Sequence, residues 1–167
     1  MKRYCIDTSA FSNPLMAMPQ DIHVKFWQSI MAKIEMGKLA VTFEIYDELT
    51  HLEGEMNDCI LGNKDVLLLE VGQAGWNWQD YLNNSTALNL KYKDFISENL
   101  NNIKGTVGIV DMSIIALAQT LDLPLVSMEK ETNLQSDKRR HIPDICKLEG
   151  IKHIDFNDFL RLEGIKN

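Results

Sequence analysis

Four carboxylates stand in four separate apolar contexts along this chain: Asp7, Glu48, Asp111 and Glu129. Asp7 ends the apolar opening Tyr4-Cys5-Ile6, which reads as a first strand running into the turn Thr8-Ser9. Glu48 lies in Phe43-Glu44-Ile45-Tyr46-Asp47-Glu48-Leu49, just after a short strand, and Asp111 opens the helical run Met112-Ser113-Ile114-Ile115-Ala116-Leu117-Ala118. Glu129 follows the strand Leu123-Pro124-Leu125-Val126-Ser127-Met128. In an α/β chain, acids at strand ends and helix starts converge at the carboxyl edge of a parallel sheet, where such folds place their sites. Carboxylates crowded into one cleft repel each other unless a divalent cation is shared among them, and hard cations take oxygen ligands. Asp7, Glu48, Asp111 and Glu129 are therefore the candidate catalytic residues and the candidate ligands of Mg²⁺ or Mn²⁺. Such ions supply what phosphodiester hydrolysis needs: an activated water, neutralised charge on the phosphorus oxygens and help for the leaving oxygen. The hydroxyls of Thr8, Ser9 and Ser127 sit beside these acids and could orient a carboxylate or a metal-bound water. A helix start near Asp111 adds partial positive charge that would favour an incoming phosphate.

Each residue also has a plainer use. Asp7 could cap the turn after its strand, but an acid ending an apolar strand costs desolvation unless something pairs with it. Glu48 competes with Glu44 and Asp47, for which a solvated acidic helix face is the plainer reading, and it stands deepest in the apolar pattern. Asp111 could serve only the helix dipole, while Ile109, Val110 and Met112 around it argue for burial. Glu129, next to Glu131, could be loop charge. Lys138-Arg139-Arg140-His141 is the one basic cluster. Lys138, Arg139 and Arg140 could contact RNA phosphates, and a solvated surface loop is the plainer alternative. Trp76, Trp78 and Tyr81 could stack on bases, though core or interface packing is favoured. His23, His51, His141 and His153 share no metal-ligand spacing and no evident cysteine or serine partner, so a histidine-based triad is not expected.

The elements that must position the acids follow from periodicity. Asn13-Pro14 marks a turn, and a helix is expected from about Gln20 to Met36, with Ile22, Phe26, Ile30 and Ile34 forming one apolar face and Gly37 stopping it. Leu39-Ala40-Val41 reads as a buried strand, with Thr42 capping the helix that carries Glu44 and Glu48. From about Asn63 to Asn102 the chain reads as two or more polar-rich helices, with Val66, Leu67, Leu82, Leu88, Leu90, Tyr92, Phe95 and Ile96 supplying apolar surface. A loop over Lys104–Gly108 leads into the Asp111 helix. After the third strand comes a polar loop from Lys130 to Arg140, then a short helix opened by Ile142-Pro143-Asp144 and stopped by Gly150. A last strand covers Ile151–Ile154, and a terminal helix starts at Asn157 or Asp158. Alternating strands and helices imply a three-layer α/β/α sandwich around a central parallel sheet.

Bulk properties set limits. The chain has 167 residues, of which 45% are hydrophobic and 25% charged, ordinary for one globular domain. A chain of this length buries roughly 70% of its unfolded surface, enough for a core without disulfides. Its apolar runs fall far short of the ~20 residues that span a bilayer, and no signal peptide fits. Cys5, Cys59 and Cys146 are an odd number at wide spacing, so a cytoplasmic location is expected rather than a disulfide framework or zinc site. The net charge of −7 argues against nonspecific nucleic-acid binding without excluding a nuclease whose acids lie in its site.

The segments Tyr4-Cys5-Ile6-Asp7-Thr8-Ser9-Ala10-Phe11, Glu44 through Leu49, Asp111 through Ala118, and Leu125-Val126-Ser127-Met128-Glu129 resemble the PIN domain family over nearly the whole chain. The resemblance implies a Rossmann-like sheet in one PIN-like domain over residues 1–167, with a helical insert at about 51–105, and a Mg²⁺- or Mn²⁺-dependent ribonuclease acting on RNA. Many bacterial members are VapC-type toxins held inactive by a cognate antitoxin, and homodimers are frequent, so the resemblance implies those partners too. VapC-type toxins usually carry an aspartate where this chain has Glu129, and they are shorter. The tail Arg140-His141-Ile142-Pro143-Asp144-Ile145-Cys146 resembles a less characterised PIN-like branch. Two alternatives stand beside the ribonuclease: a degenerate PIN-like scaffold that binds a partner through its helical insert, and a metal-dependent phosphohydrolase acting on DNA or nucleotides.

Overall fold

The computed structural model describes residues 1–132 and 138–166. Four short strands, β1 (Tyr4–Ile6), β2 (Leu39–Ala40), β3 (Leu125–Val126) and β4 (His153–Ile154), form one sheet in the order β2-β1-β3-β4, with every pairing parallel. All but His153 of these strand residues are buried, as expected for a parallel sheet covered on both faces. The order puts a topological switch point between β1 and β3. The chain leaves β1 toward β2 on one side and returns through β3 to β4 on the other, and it is at the carboxyl ends of strands flanking such a point that α/β folds bind ligands.

The helices are α1 (Ser9–Ala17), α2 (Val24–Glu35), α3 (Phe43–Leu49), α4 (Gly54–Gly62), α5 (Lys64–Leu67), α6 (Trp78–Lys91), α7 (Ile109–Leu121), α8 (Ile142–Glu149) and α9 (Phe156–Glu163), with a 3₁₀ turn at Ser97–Leu100. They flank the sheet in an α/β/α arrangement. α7 packs on β1 and β3, with α3, α6 and α8 against it. Its run Met112–Ala118 is buried throughout, which explains why the sequence there is apolar on every side. An aromatic cluster joins α2 to α9: Trp27 stacks on Phe156 with centroids 6.3 Å apart, and Phe159 meets Tyr4 of β1 edge-on at 5.1 Å.

Several local expectations are corrected. Pro14 does not mark a turn but lies buried inside α1. That helix spans Ser9–Ala17, short enough that a missing N–H costs it one bond. α2 begins at Val24 rather than Gln20, because the residues after Pro19 form a turn with Ile22 and His23 N–H donating to the Pro19 carbonyl. Gln20 instead ties down α4, donating to Glu53 O at 3.0 Å and accepting from Met56 N at 2.8 Å. Phe26, Ile30 and Ile34 are buried as the spacing requires, whereas Ile22 is 71% exposed. In the helical insert Leu67, Leu88, Tyr92 and Ile96 are buried, but Val66, Leu82 and Leu90 face outward. Trp76 packs against Tyr81 with centroids 5.5 Å apart. Thr42 caps α3 by accepting from Ile45 N, and Gly150 ends α8 in the left-handed conformation, both as the sequence indicates. Asp155 caps the terminal helix, which therefore starts at Phe156. The three cysteines are free, and Cys5 and Cys146 are fully buried. No helix among the described residues is long and apolar enough to cross a membrane.

Candidate functional site

The carboxyl edge of the sheet at the switch point collects the carboxylates that the sequence scatters. Asp7 follows β1 directly, its N–H donating to Val126 O of β3 at 3.0 Å. Its side chain is buried, and Oδ2 accepts from Ser9 N at 3.0 Å and from Ser9 Oγ. Ser9 Oγ in turn accepts from Met128 N at 2.9 Å, so one hydroxyl joins the turn after β1 to the turn after β3. Asp111 is the third residue of α7 and closes onto the helix start, accepting from Gly108 N at 2.7 Å. Glu129 accepts from Ile142 N, the first residue of α8, at 2.8 Å, and its own N–H donates to Ser127 Oγ at 3.3 Å. Glu48 is exposed on α3, contrary to the depth expected of it. The apolar pattern there belongs to Ile45, Tyr46 and Leu49, and the Glu48 side chain is held instead by the Thr8 hydroxyl. Thr8, Ser9 and Ser127 thus each touch one of the acids or its backbone.

Two of the acids, Asp7 and Asp111, feel the charges of the others. Burial pushes the Asp7 carboxyl up to about 6 against the Ser9 hydrogen bonds, and the charges of Glu129 and Glu48 raise it further. Asp111 is pushed up to about 7, first by burial and then, against its bond from Gly108 N–H, by Glu129, Asp7 and Glu48. No ion pair among the described residues reaches any of the four. Among the described residues no three His, Cys, Asp or Glu side chains stand close enough, as they are, to hold a metal ion. The donor chemistry nonetheless fits a hard divalent cation: all-oxygen ligands whose like charges raise one another's protonation. Asp7, Asp111, Glu48 and Glu129 are the residues that could hold it.

The expected phosphate seat at the start of α7 is already filled. Gly108 N–H goes to Asp111, and Ile109 N–H goes to both oxygens of Glu98 at 3.1 Å. Glu44 and Asp47 are exposed on α3, and Glu131 pairs with Lys147 at 3.0 Å. The basic cluster lies against the loop that feeds α7. Arg140 stacks over Phe95 at 4.4 Å, its carbonyl accepts from Val107 N at 2.8 Å, and the Arg139 guanidinium lies beside Gly105. Lys138 and Arg139 are exposed, and most of the polar loop before them lies outside the described residues.

One histidine does have a serine partner: His153 Nε2 sits 2.8 Å from Ser127 Oγ across β3 and β4. Ser127 is fully buried and orients the backbone of Glu129, so the pair fixes a turn rather than exposing a nucleophile. Burial holds the His153 ring below the usual histidine range. Asp144 was visible only as part of a helix start, yet it is fully buried beside the Glu129 turn.

The chain belongs to the DUF4411 family, described as a domain of unknown function, whose model matches residues 4–167. No curated protein matches it. The crystal structure of PAE2754 from Pyrobaculum aerophilum is similar over 99% of this chain and 98% of its own, with 16% identity and a TM-score of 0.48.

Proposed function

We propose that this protein is a Mg²⁺- or Mn²⁺-dependent endoribonuclease with a PIN-type site. The observation that carries the reading is the charge-coupled set Asp7, Glu48, Asp111 and Glu129 at the switch point, with two of its members held at about 6 and 7. Carboxylates that raise one another's protonation are arranged against the chain's own stability, and a bound divalent ion would be the counter-charge that reconciles them. When bound, such an ion supplies an activated water and neutralises phosphate charge. The chain's residues contribute the frame. Ser9 fixes Asp7 and the Met128 backbone together, Gly108 N–H fixes Asp111, and α8 fixes Glu129. Because Asp7 and Asp111 hold protons up to about pH 6 and 7, metal affinity should rise as pH increases through that range. In this reading exposed Lys138 and Arg139 would meet RNA phosphates, Arg139 from beside Gly105 of the loop entering α7. A toxin role with a cognate antitoxin belongs to this proposal through the family resemblance alone.

The deciding experiment is cleavage of a mixed RNA pool with Mn²⁺, comparing wild type with Asp111→Asn. Cleavage that requires the metal and drops by at least ~100-fold in the variant supports the reading. Folded protein that neither binds Mn²⁺ nor cuts RNA would sink it, and a partner-binding scaffold would then replace it. Cutting of DNA or nucleotides in place of RNA would move the assignment to another phosphohydrolase.

A further inference from the structure

We propose that Asp144 is a positioning residue for Glu129, an inference that rests on the metal-site reading above. Asp144 is 0% exposed, and among the described residues its carboxylate accepts from three neutral donors. Oδ1 accepts from Thr132 N at 3.0 Å, while Oδ2 accepts from Thr132 Oγ1 at 2.8 Å and from His141 N at 2.7 Å. The bond to His141 N is ordinary for the third residue of a helix, since it caps the start of α8. A cap alone needs neither burial nor further partners, and burying a carboxylate for that purpose is costly.

The other two bonds show what the burial accomplishes. They reach twelve residues upstream to Thr132, three residues beyond Glu129. The next N–H of the same helix turn, that of Ile142, holds Glu129 Oε2 at 2.8 Å. His141 adds a third tie, its Nδ1 lying 2.8 Å from Lys130 O. The first turn of α8 therefore grips the segment 129–132 at the Glu129 side chain, at the Lys130 carbonyl and at Thr132. Ser127 Oγ holds the other side of the Glu129 backbone. Asp144 sets where that helix start stands against the segment, and so where the Glu129 carboxylate points. Asparagine cannot reproduce this, because in either orientation its amide nitrogen would face a backbone N–H, that of Thr132 or that of His141.

The test is a double-mutant cycle on Mn²⁺ affinity with Asp144→Asn and Glu129→Gln, with a parallel measurement on metal-free protein. If Asp144 acts through Glu129, Asp144→Asn weakens Mn²⁺ binding about tenfold in the wild-type background. It should have no further effect when Glu129 is already Gln. The same loss in both backgrounds, or no loss in either, overturns the proposal. In metal-free protein the ¹³C carboxyl resonance of Glu129, assigned by its absence in Glu129→Gln, should move in Asp144→Asn while that of Glu48 stays. An unmoved Glu129 resonance also overturns the proposal. If wild type binds no Mn²⁺ the metal-site reading fails by itself, and the carboxyl resonance still decides whether Asp144 positions Glu129. Should Asp144→Asn fail to fold, Thr132→Val, which removes only the hydroxyl donor, is judged by the same criteria.

Discussion

Glu163 and Asp111 are both carboxylates set against one small parallel sheet, and the protein treats them in opposite ways. Glu163 lies at the amino edge, its side chain 2% exposed, among Arg3 at 2.9 Å, Lys33 at 3.1 Å and Lys38 at 2.9 Å, with the Tyr4 hydroxyl donating at 2.9 Å. Burial alone would raise its pKa, but the bonds from Lys38, Lys33 and Tyr4 outweigh that and hold it down to about 2. At the carboxyl edge Asp111 and Asp7 meet, among the described residues, neutral donors and other acids, and they are held at about 7 and 6. One edge gathers cations around a lone acid and fastens α9 to β1 and the α2–β2 turn. The other, among the described residues, sets its acids against neutral donors and one another, which is the arrangement that the proposed cation would answer.

Breaking the compensated edge should cost the most. Glu163→Gln leaves three cations facing a neutral group and is expected to lower unfolding free energy by about 3 kcal/mol, read by urea denaturation. A loss below ~1 kcal/mol would mean that solvent already screens the cluster. The uncompensated edge should respond with the opposite sign. Asp111→Asn, measured without metal at pH 8, is expected to stabilise the protein by about 2 kcal/mol by relieving burial and like-charge repulsion. A destabilised variant would contradict the contrast.

A pH series separates the two edges in one protein. Asp7 and Asp111 have folded-state pKa values above the ordinary 3.8, so the unfolded chain gives up its protons first. Metal-free stability should therefore fall as pH rises from about 4 toward 7, and flatten in the Asp7→Asn, Asp111→Asn double variant. Glu163 has the reverse sign. Its contribution is complete above the ordinary 4.5 and is lost as pH falls toward 2. Thermal melts across pH 2–8 read both slopes. The smallest effect sharpens the compensated edge: Arg3, half exposed, should contribute ~0.5 kcal/mol, less than the more enclosed Lys33 or Lys38. Melts of Arg3→Met against Lys38→Met test that ranking.

These edges were not equally legible in the sequence. Asp7 and Asp111 stood out because each interrupts an apolar run, and burial of the neighbours is a local signal that period and composition carry. The cap at Thr42 and the stop at Gly150 were legible for the same reason. Glu48 misled because its depth was judged from linear neighbours, whereas the helix turns Ile45 and Leu49 inward and Glu48 out. Glu163 carries no local signal, since its partners lie far away in the chain: Lys38 is 125 residues distant and Tyr4 159. Asp144 was hidden similarly, for its grip on Thr132 closes a link that no helical or strand period encodes. Contacts set by topology rather than period, including the pairing of Ser127 with His153, become visible only when the strands are ordered.

The brevity of β1 has an electrical consequence. Three residues of strand separate the Tyr4–Glu163 cluster from Asp7, about 10 Å at the rise of a parallel strand. That span is close to the distance over which 0.1 M salt extinguishes a charge. In dilute buffer the cationic end of the sheet should therefore favour proton loss from Asp7 and Asp111 more than it does in strong salt. The molecule is a small capacitor whose plates are the two ends of a strand, and ionic strength sets whether they communicate.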